Sequence, residues 1–333
     1  MTSLAAETSL AADPDQVSAD AALEALRRAL GTPSVDVEAL EERVLAAVDQ
    51  RIAELTVPQS VLVQPRREVP PVKIANVHRK FRKLLALVNR GRNVLLIGPK
   101  GSGKSTIASQ LAQALDRPVL VFTCSVGTTK ADILGYMAAD GYHESPFHVA
   151  WRRGYVILMD EFDTLHPQVS PILNDGFSRR FIQFPTGELD SAGNLVPTPL
   201  GDGGVIVAAA NTVGKGADKQ YVGRSRIDDA STDRFELVEI EYDEKVEDAI
   251  VAGLDAPARV KGNAKSVCRD LRKAARELNI AVDYGIRAMT GICEMAMAGF
   301  DQDEIVYGRL SRGMAAADWE ALTHRVRIPP LTT

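Results

Sequence analysis

The sequence predicts an α/β fold in which helices sandwich a parallel sheet of five strands, with a small all-α domain after it. Five short apolar runs, most of them separated by helical patterns, carry the first half of this prediction: Val94–Ile97, Val119–Thr123, Tyr155–Met159, Val205–Ala210 and Leu237–Tyr242. Four of these runs are almost continuously apolar, as strands buried on both faces of a sheet are. Beyond Asp243 the strand signals stop, and helical patterns cover Ala264–Leu278, Arg287–Ala298 and Gln302–Ala317.

Composition places the chain among ordinary globular proteins. It has 333 residues, of which 45% are hydrophobic, and a net charge of −5. Three cysteines without C-x-x-C spacing indicate neither a disulfide framework nor a zinc site. The charge balance does not indicate a nucleic-acid-binding surface. No apolar run approaches the ~20 residues that a membrane span needs, so we expect a cytoplasmic protein.

The chain divides by pattern into four parts. Residues 1–57 form an acidic, Ala-rich helical region, since residues 1–60 hold 4 basic and 11 acidic side chains. Within it, residues 35–55 carry apolar side chains every three or four positions, which predicts a helix that packs on its own domain or docks a partner. Residues 58–71, rich in proline, predict an extended linker. We expect an α/β domain at 72–243 and a helical lid domain at 244–333.

The segment between the first apolar run and a helical pattern at 106–115 matches the phosphate-binding loop G-x-x-x-x-G-K-[ST]. Glycines let successive backbone N–H groups turn toward phosphates, and the following helix offers its positive end to the same anion. Lys104 is expected to reach the β- and γ-phosphates, and Ser105 to bind Mg²⁺. The predicted nucleotide-binding residues are Gly98, Pro99, Lys100, Gly101, Ser102, Gly103, Lys104, Ser105 and Thr106.

Two carboxylates end the third apolar run. Asp160 and Glu161 follow Tyr155–Met159 directly, as in the Walker B element. The first acid of such a pair helps to hold Mg²⁺, and the second polarises the attacking water. We therefore predict Asp160 as a metal ligand and Glu161 as the catalytic base.

The fourth apolar run, Val205–Ala210, ends in Asn211, a neutral polar residue. Its amide could hydrogen-bond the attacking water or the γ-phosphate without adding negative charge. The alternative is that Asn211 only caps the following turn.

The order of these motifs, followed by Asp233-Arg234-Phe235 before a last strand, resembles the AAA+ ATPases, a class of P-loop NTPase. More narrowly it resembles the MoxR-type branch that includes the NorQ, CbbQ and CobS proteins. The resemblance covers roughly residues 72–330. It implies ATP and Mg²⁺ as cofactors, and the preference for adenine over guanine rests on it alone.

The resemblance also implies two catalytic arginines. Arg234 takes the position of the arginine finger, which reaches into the neighbouring subunit's nucleotide site. Arg287 takes the position of the sensor 2 arginine near the start of a lid helix. Other candidates for the finger are Arg224, Arg226, Arg179 and Arg180.

Two segments test how far the resemblance extends. The loop after the second strand, residues 124–130, contains no aromatic residue of the kind that AAA+ unfoldases use to grip substrate. Between residues 181 and 204 a hairpin is predicted, with residues 181–184 pairing with residues 195–197 across residues 191–194. The hairpin is consistent with an insert of the MoxR-type branch, and the missing aromatic argues against processive unfolding.

The function that these patterns predict is a Mg²⁺-dependent ATPase that forms a homo-oligomeric ring, most simply a hexamer, and remodels or activates a protein substrate. The resemblance implies a partner with a von Willebrand factor A domain, as in metal insertion or enzyme activation. Two alternatives remain open at this stage. One is a motor ATPase stimulated by nucleic acid, and the other is a nucleotide-gated assembly scaffold with little turnover.

Overall fold

The computed structural model describes residues 60–63, 72–166, 168–211 and 232–332. The predicted N-terminal helical region lies outside them, as does most of the predicted linker. The described part of that linker is strand β1 (Val61–Val63), which pairs antiparallel with β2 (Val72–Ile74). Helix α1 (Phe81–Val88) then leads to the main sheet.

The main sheet has five parallel strands, as predicted. The helices and strands of this part of the chain are, in chain order, β3 (Val94–Ile97), α2 (Lys104–Ala114), β4 (Val119–Thr123), α3 (Lys130–Leu134), the hairpin strands β5 (Tyr136–Ala138) and β6 (Gly141–His143), α4 (Pro146–Arg152), β7 (Val156–Asp160), α5 (Ser170–Arg179), the short strands β8 (Phe181–Ile182) and β9 (Thr198–Pro199), β10 (Val205–Ala210) and β11 (Glu236–Glu239). The strand order in the sheet is β11-β3-β10-β7-β4. The α/β P-loop architecture is thereby confirmed.

Successive side chains of a strand pack alternately into two separate hydrophobic cores. In β3, Val94 and Leu96 join a core formed with α1 and α2, whereas Leu95 and Ile97 join a core formed with α4 and α5. Successive residues of a strand point to opposite faces, so a strand buried on both sides must be apolar throughout. The central strand β10 is buried at every position. This explains why β3, β7 and β10 appear in the sequence as continuous apolar runs and not as alternating patterns.

The register of the parallel strands brings three carboxyl ends to one edge. Ala210 of β10 lies opposite Ile97 of β3, and Ala208 lies opposite Met159 of β7. The residues that follow these strands therefore meet: the glycine-rich loop after β3, the acids at the end of β7, and Asn211 after β10. Ligands of open α/β sheets bind at this edge.

The bounds of β3, β4 and β10 agree with the predicted runs, and β7 lies one residue later than predicted. The predicted last strand, Leu237–Tyr242, is wrong at its end. Ile240 still donates its N–H to the Ile97 carbonyl at 2.6 Å, but Tyr242 and Asp243 leave the sheet. Their side chains have other contacts, because Tyr242 bonds to the glycine-rich loop and Asp243 caps the next helix.

The predicted hairpin at residues 181–204 is present, but its second strand is not the predicted one. Phe181 pairs with Pro199 and Ile182 with Thr198, whereas residues 195–197 were predicted as the partner. The turn at residues 191–193 lies where it was predicted. Phe184 lies beyond this ladder, and its buried side chain stacks on His148 at 3.9 Å between ring centroids.

The segment between β4 and β7 contains a hairpin that the sequence analysis missed. Strands β5 and β6 pair antiparallel, and Tyr136 stacks on His143 with 5.0 Å between ring centroids. Tyr136 and Met137 are 54% and 57% exposed. The loop at 124–130 does lack an aromatic side chain, but the neighbouring hairpin presents one.

A helical region follows the sheet. It comprises α6 (Glu244–Ala252), α7 (Ala258–Leu278), α8 (Ile286–Met297), α9 (Gln302–Val306) and α10 (Ala316–Arg325), and these helices share one apolar core. The predicted single helix Gln302–Ala317 is wrong: the chain passes from α9 into a π-helical turn, Tyr307–Ser311, before α10 begins. Where the chain is described, no helix has the length and hydropathy needed to cross a bilayer.

Candidate nucleotide site

The predicted phosphate-binding loop, Gly98–Gly103, connects the buried strand β3 to helix α2. Gly103 is the N-cap of α2 and has φ of 92°, a left-handed conformation that glycine adopts without strain. In the described part of the chain, no side chain caps this helix start. The N–H groups of the first turn are therefore available to an anion, and the helix dipole favours negative charge at the same point.

Lys104 is buried at the centre of the site, with 8% of its surface exposed. Its ammonium donates to the carbonyls of Gly98 (2.7 Å) and Pro99 (3.0 Å) and to Oδ1 of Asn211 (2.9 Å). An ammonium has three protons, so the protein itself satisfies this cation. A bound phosphate must replace part of this set.

Burial lowers the pKa of Lys104 from 10.5 to about 8, because the ammonium loses hydration. The nearby carboxylates of Asp160 and Glu161 act in the opposite direction and keep the pKa from falling further. A phosphate beside the ammonium would also favour the charged form. The pKa of Lys104 is therefore expected to rise when a nucleotide binds.

This shift predicts a pH dependence of nucleotide affinity. Below pH 8 the free protein already holds the proton on Lys104, whereas above pH 8 binding must take one up. The affinity for ATP should therefore fall above pH 8, by up to about tenfold per pH unit. Titration calorimetry from pH 7 to 9.5, in two buffers of different ionisation enthalpy, measures both the affinity and the proton uptake. In Lys104→Arg the guanidinium stays charged, so the slope should disappear. A flat profile for the unchanged chain contradicts the prediction.

Asp160 ends strand β7 and pairs with the first turn of α2. Its Oδ2 accepts a hydrogen bond from Oγ of Ser105 at 2.7 Å, and its Oδ1 accepts from the N–H of Glu161 at 2.9 Å. A hydroxyl and a carboxylate are hard oxygen ligands that suit Mg²⁺, which otherwise keeps water and phosphate oxygens. Among the described residues no three His, Cys, Asp or Glu side chains cluster as an all-protein metal site. The donor set fits a Mg²⁺ that arrives with a nucleotide.

Glu161 has a left-handed backbone, with φ of 55° and ψ of 36°. For a residue with a Cβ this conformation is uncommon, and such residues cluster at functional sites. Its Oε2 accepts a hydrogen bond from Nδ2 of Asn211 at 3.3 Å. The turn thus places the carboxylate within hydrogen-bond distance of Asn211.

Asn211 bridges the ammonium of Lys104 and the carboxylate of Glu161. It accepts from Lys104 through Oδ1 and donates to Glu161 through Nδ2. Only this amide orientation is consistent, because an ammonium can only donate and a carboxylate can only accept. The side chain therefore does not simply cap the following turn.

A further acid, Asp163, was missed by the sequence analysis. It is 1% exposed, and its Oδ2 accepts from the N–H of Asn211 at 3.2 Å. The one signal for Asp163 in the sequence is that it follows Glu161 by two residues. Its burial could not be predicted, because burial of a carboxylate depends on tertiary contacts. Asp163 orients the backbone of Asn211 and so supports the bridge.

Two adjoining cavities surround these groups. One, of about 130 Å³, is lined by the loop, by Asp160, Glu161 and Asn211, and by Ile286 and Arg287. Arg287 is exposed at its wall, and within the described ranges its guanidinium makes no ion pair. The other, of about 240 Å³, shares the residues Gly101, Gly103, Thr106 and Ile286 and extends to residues 75–78, 242–243 and Ile250.

Arg234 lies away from this site. It precedes β11, whose Glu236 is opposite Val94 at the amino end of β3, while the phosphate-binding loop begins beyond the carboxyl end of β3. A strand of this length spans about 13 Å. Nε of Arg234 donates to the Asn174 carbonyl (2.9 Å) and to Oγ of Ser178 (2.6 Å) on α5. The fold thus places Arg234 at the opposite edge of the sheet from its own chain's phosphate cavity.

The other candidate arginines differ in their surroundings. Arg180 donates to the carbonyls of Gly91 (3.0 Å) and Gly204 (2.7 Å), and burial lowers its pKa. These contacts assign it a structural role. Arg179 is exposed and pairs with Asp175 on the same helix at 3.0 Å. Arg224 and Arg226 lie outside the described residues.

Comparison with known proteins identifies the type of domain. Residues 93–235 match the family model described as AAA domain, dynein-related subfamily. This range includes Lys104, Asp160, Glu161, Asn211 and Arg234. Together with the five-stranded sheet, the match shows an AAA+ P-loop domain and supports a generic AAA+ ATPase.

Relatives of unassigned function align over most of their length. The chain is 28% identical to an uncharacterized protein of Staphylococcus aureus strain USA300 over 232 residues, which is 65% of this chain and 82% of the relative. An uncharacterized protein of Staphylococcus aureus strain NCTC 8325 aligns with the same identity and coverage over 233 residues.

Proposed function

We propose that this AAA+ chain is a magnesium-dependent ATPase that assembles into a homo-oligomeric ring, a hexamer, and uses hydrolysis to remodel or activate a partner protein. One observation carries the ATPase part. Lys104, Asn211 and Glu161 form a continuous hydrogen-bonded network beside the Ser105–Asp160 pair, on the wall of one cavity. Phosphoryl transfer to water requires a cation beside the phosphates, a base for the attacking water and ligands for Mg²⁺. Here the neutral amide of Asn211 connects the cation to the base.

Together, the two cavities provide the space for one nucleoside triphosphate. The smaller one takes the phosphates, because the helix start and Lys104 supply its donors. The larger one continues from the same loop and takes the ribose and base. Oδ1 of Asn76, a residue on its wall, is buried and has no hydrogen-bond partner among the residues that the structure describes, and an amino group of a base could supply one. The preference for ATP over GTP rests on the family resemblance, and competition between the two nucleotides tests it.

Each side chain has a distinct role in the proposed reaction. Glu161 orients the attacking water and accepts its proton. Asn211 holds the carboxylate of Glu161 and connects it to Lys104, which stabilises negative charge on the phosphoryl oxygens together with Arg287. Ser105 and Asp160 would hold Mg²⁺, which polarises the phosphate and neutralises charge when it is bound.

The position of Arg234 supports the proposed ring. A guanidinium that lies at the far edge of its own sheet can complete a phosphate site only in another copy of the chain. Hydrolysis would then depend on assembly. The sixfold order and the von Willebrand factor A partner rest on the resemblance to MoxR-type proteins.

A mixing experiment tests the intersubunit role. Arg234→Ala should lower kcat about 10³-fold or more, because the transition-state charge loses its arginine. Lys104→Ala should also be inactive, but it keeps Arg234. Mixing the two inactive proteins should restore part of the activity, since some interfaces then combine an intact cavity with an intact arginine.

Arg92→Ala is the matched control, because Arg92 pairs with Glu236 at the same edge of the sheet at 2.5 Å. Its activity should be unchanged. If Arg234→Ala hydrolyses ATP normally while Arg179→Ala does not, the finger is Arg179. If the mixture stays inactive, Arg234 does not act across subunits.

The nature of the target is tested by stimulation of hydrolysis. A remodelling ATPase should be indifferent to single- and double-stranded nucleic acid. Stimulation by nucleic acid that falls steeply between 50 and 200 mM salt would instead identify a nucleic-acid motor. Nucleotide-dependent assembly without measurable turnover would identify a scaffold.

A further inference from the structure

Tyr242 joins the end of the main sheet to the phosphate-binding loop. It leaves the line of β11, and its hydroxyl donates a hydrogen bond to the carbonyl of Lys100 at 3.0 Å. Lys100 lies in the middle of the loop that the sequence assigns to phosphate. A side chain from outside the loop therefore holds one of its peptide groups.

The ring of Tyr242 is itself held by a charged side chain of the helical region. The guanidinium carbon of Arg272, on α7, lies 4.2 Å from the ring centroid, within the range of a cation–π contact. Arg272 is 8% exposed, and its two terminal nitrogens donate to the two oxygens of Glu247, on α6, at 2.8 Å each. This bidentate pair keeps the guanidinium plane in place.

The hydrogen bond from Tyr242 determines which way a backbone donor points. Across a trans peptide the C=O and the N–H point in opposite directions, and the described chain has no cis peptide. If the Lys100 carbonyl is held toward Tyr242, the N–H of Gly101 is held away from it. Gly101 lies on the wall of the phosphate cavity.

The start of the lid helix α8 lies beside Tyr242 and the phosphate-binding loop. A Cβ at Gly285 would lie 2.8 Å from the Tyr242 ring and 3.1 Å from the Lys100 carbonyl, so only glycine fits there. The next residues, Ile286 and Arg287, line the phosphate cavity. Tyr242 therefore contacts both the loop and the turn that presents Arg287.

We propose that Tyr242 is a positioning residue for nucleotide binding: held by Arg272, it orients the Lys100–Gly101 peptide so that the Gly101 N–H faces the phosphates. This inference rests on the proposed function. It assigns a role to a residue that neither the loop motif nor the acidic pair contains. It also connects the loop to the lid through one aromatic ring.

The first test is Tyr242→Phe, which removes the hydroxyl and keeps the ring. Loss of a neutral hydrogen bond should raise the Kd for a non-hydrolysable ATP analogue about three- to tenfold. The KM for ATP should rise by a similar factor, and kcat should stay within about twofold, because Glu161 and Asn211 are untouched. Tyr307→Phe is the control, since Tyr307 is 70% exposed.

The second test asks whether Arg272 acts through Tyr242. Arg272→Lys keeps a cation beside Glu247 and loses the planar stack on the ring, so it should weaken binding about two- to fivefold. In the Tyr242→Leu background the same change should have no effect on Kd. A purely structural role for the Arg272–Glu247 pair would give equal factors in both backgrounds.

The outcomes separate this proposal from the proposed function. If the unchanged chain binds and hydrolyses ATP but Tyr242→Phe binds the analogue equally well, the positioning role is wrong and the ATPase stands. Equal effects of Arg272→Lys in both backgrounds would remove Arg272 from the proposal. Absence of nucleotide binding by the unchanged chain would remove the proposed function and this role together.

Discussion

Glu161→Gln should lower kcat for ATP hydrolysis by about 10²- to 10⁴-fold while leaving ATP bound. The amide cannot accept the proton of the attacking water, but its oxygen can still accept the hydrogen bond that Asn211 donates at 3.3 Å. The left-handed backbone at this position suits either side chain equally. Loss of a negative charge beside the phosphates should also leave the affinity for ATP unchanged or increase it.

Steady-state phosphate release and equilibrium binding of ATP measure the two effects separately. Glu320→Gln is the matched control, because that side chain is 74% exposed on α10 and should leave both unchanged. Hydrolysis that persists undiminished in Glu161→Gln would transfer the role of base to another group. Loss of binding together with hydrolysis would mean that Glu161 organises the site and does not act on water.

Lys104→Ala should abolish ATP binding, with a Kd at least about a hundredfold higher. Hydrogen bonds to charged groups are worth about 1.5–3 kcal/mol each, and Lys104 is the buried cation of the phosphate cavity. Calorimetry with ATP and Mg²⁺ measures the loss directly. Lys83→Ala, an exposed lysine on α1, should bind as the unchanged chain does.

The change also removes donors from the Gly98 and Pro99 carbonyls, so folding must be checked independently. Thermal unfolding without nucleotide should remain cooperative, since both carbonyls can be reached by water once the side chain is gone. Addition of ATP should raise the melting temperature of the unchanged chain and not that of Lys104→Ala. Hydrolysis by Lys104→Ala at the rate of the unchanged chain would disprove the assignment of the phosphate site.

The sequence predicted elements well where the signal was local. β3, β4 and β10 have the predicted bounds, because each is a continuous apolar run that ends in turn or polar residues. Boundaries failed where a distant contact competed with the local pattern. Tyr242 leaves the last strand to bond with Lys100, and the predicted helix at 302–317 breaks into α9, a π-helical turn and α10.

The candidate site shows the same division. The residue types of the phosphate loop, the acidic pair and Asn211 could be read from spacing, because each follows a strand within one or two residues. The hydrogen-bonded bridge from Lys104 through Asn211 to Glu161 could not be predicted from spacing, since Lys104 and Asn211 are more than 100 residues apart in the sequence. The burial of Asp163 and the stack of Arg272 on Tyr242 depend in the same way on which elements become neighbours.

By itself, the sequence determined that this chain has a parallel P-loop sheet and a loop suited to phosphate, because a strand, a glycine-rich turn and a helix start are specified by adjacent residues. The tertiary structure alone decided which polar groups meet and which are kept apart. With strands β3, β10 and β7 side by side, Lys104, Asn211 and Asp160 converge at one edge of the sheet. The parallel pairing of β11 with β3 leaves Arg234 at the other edge, away from the phosphate cavity of its own chain.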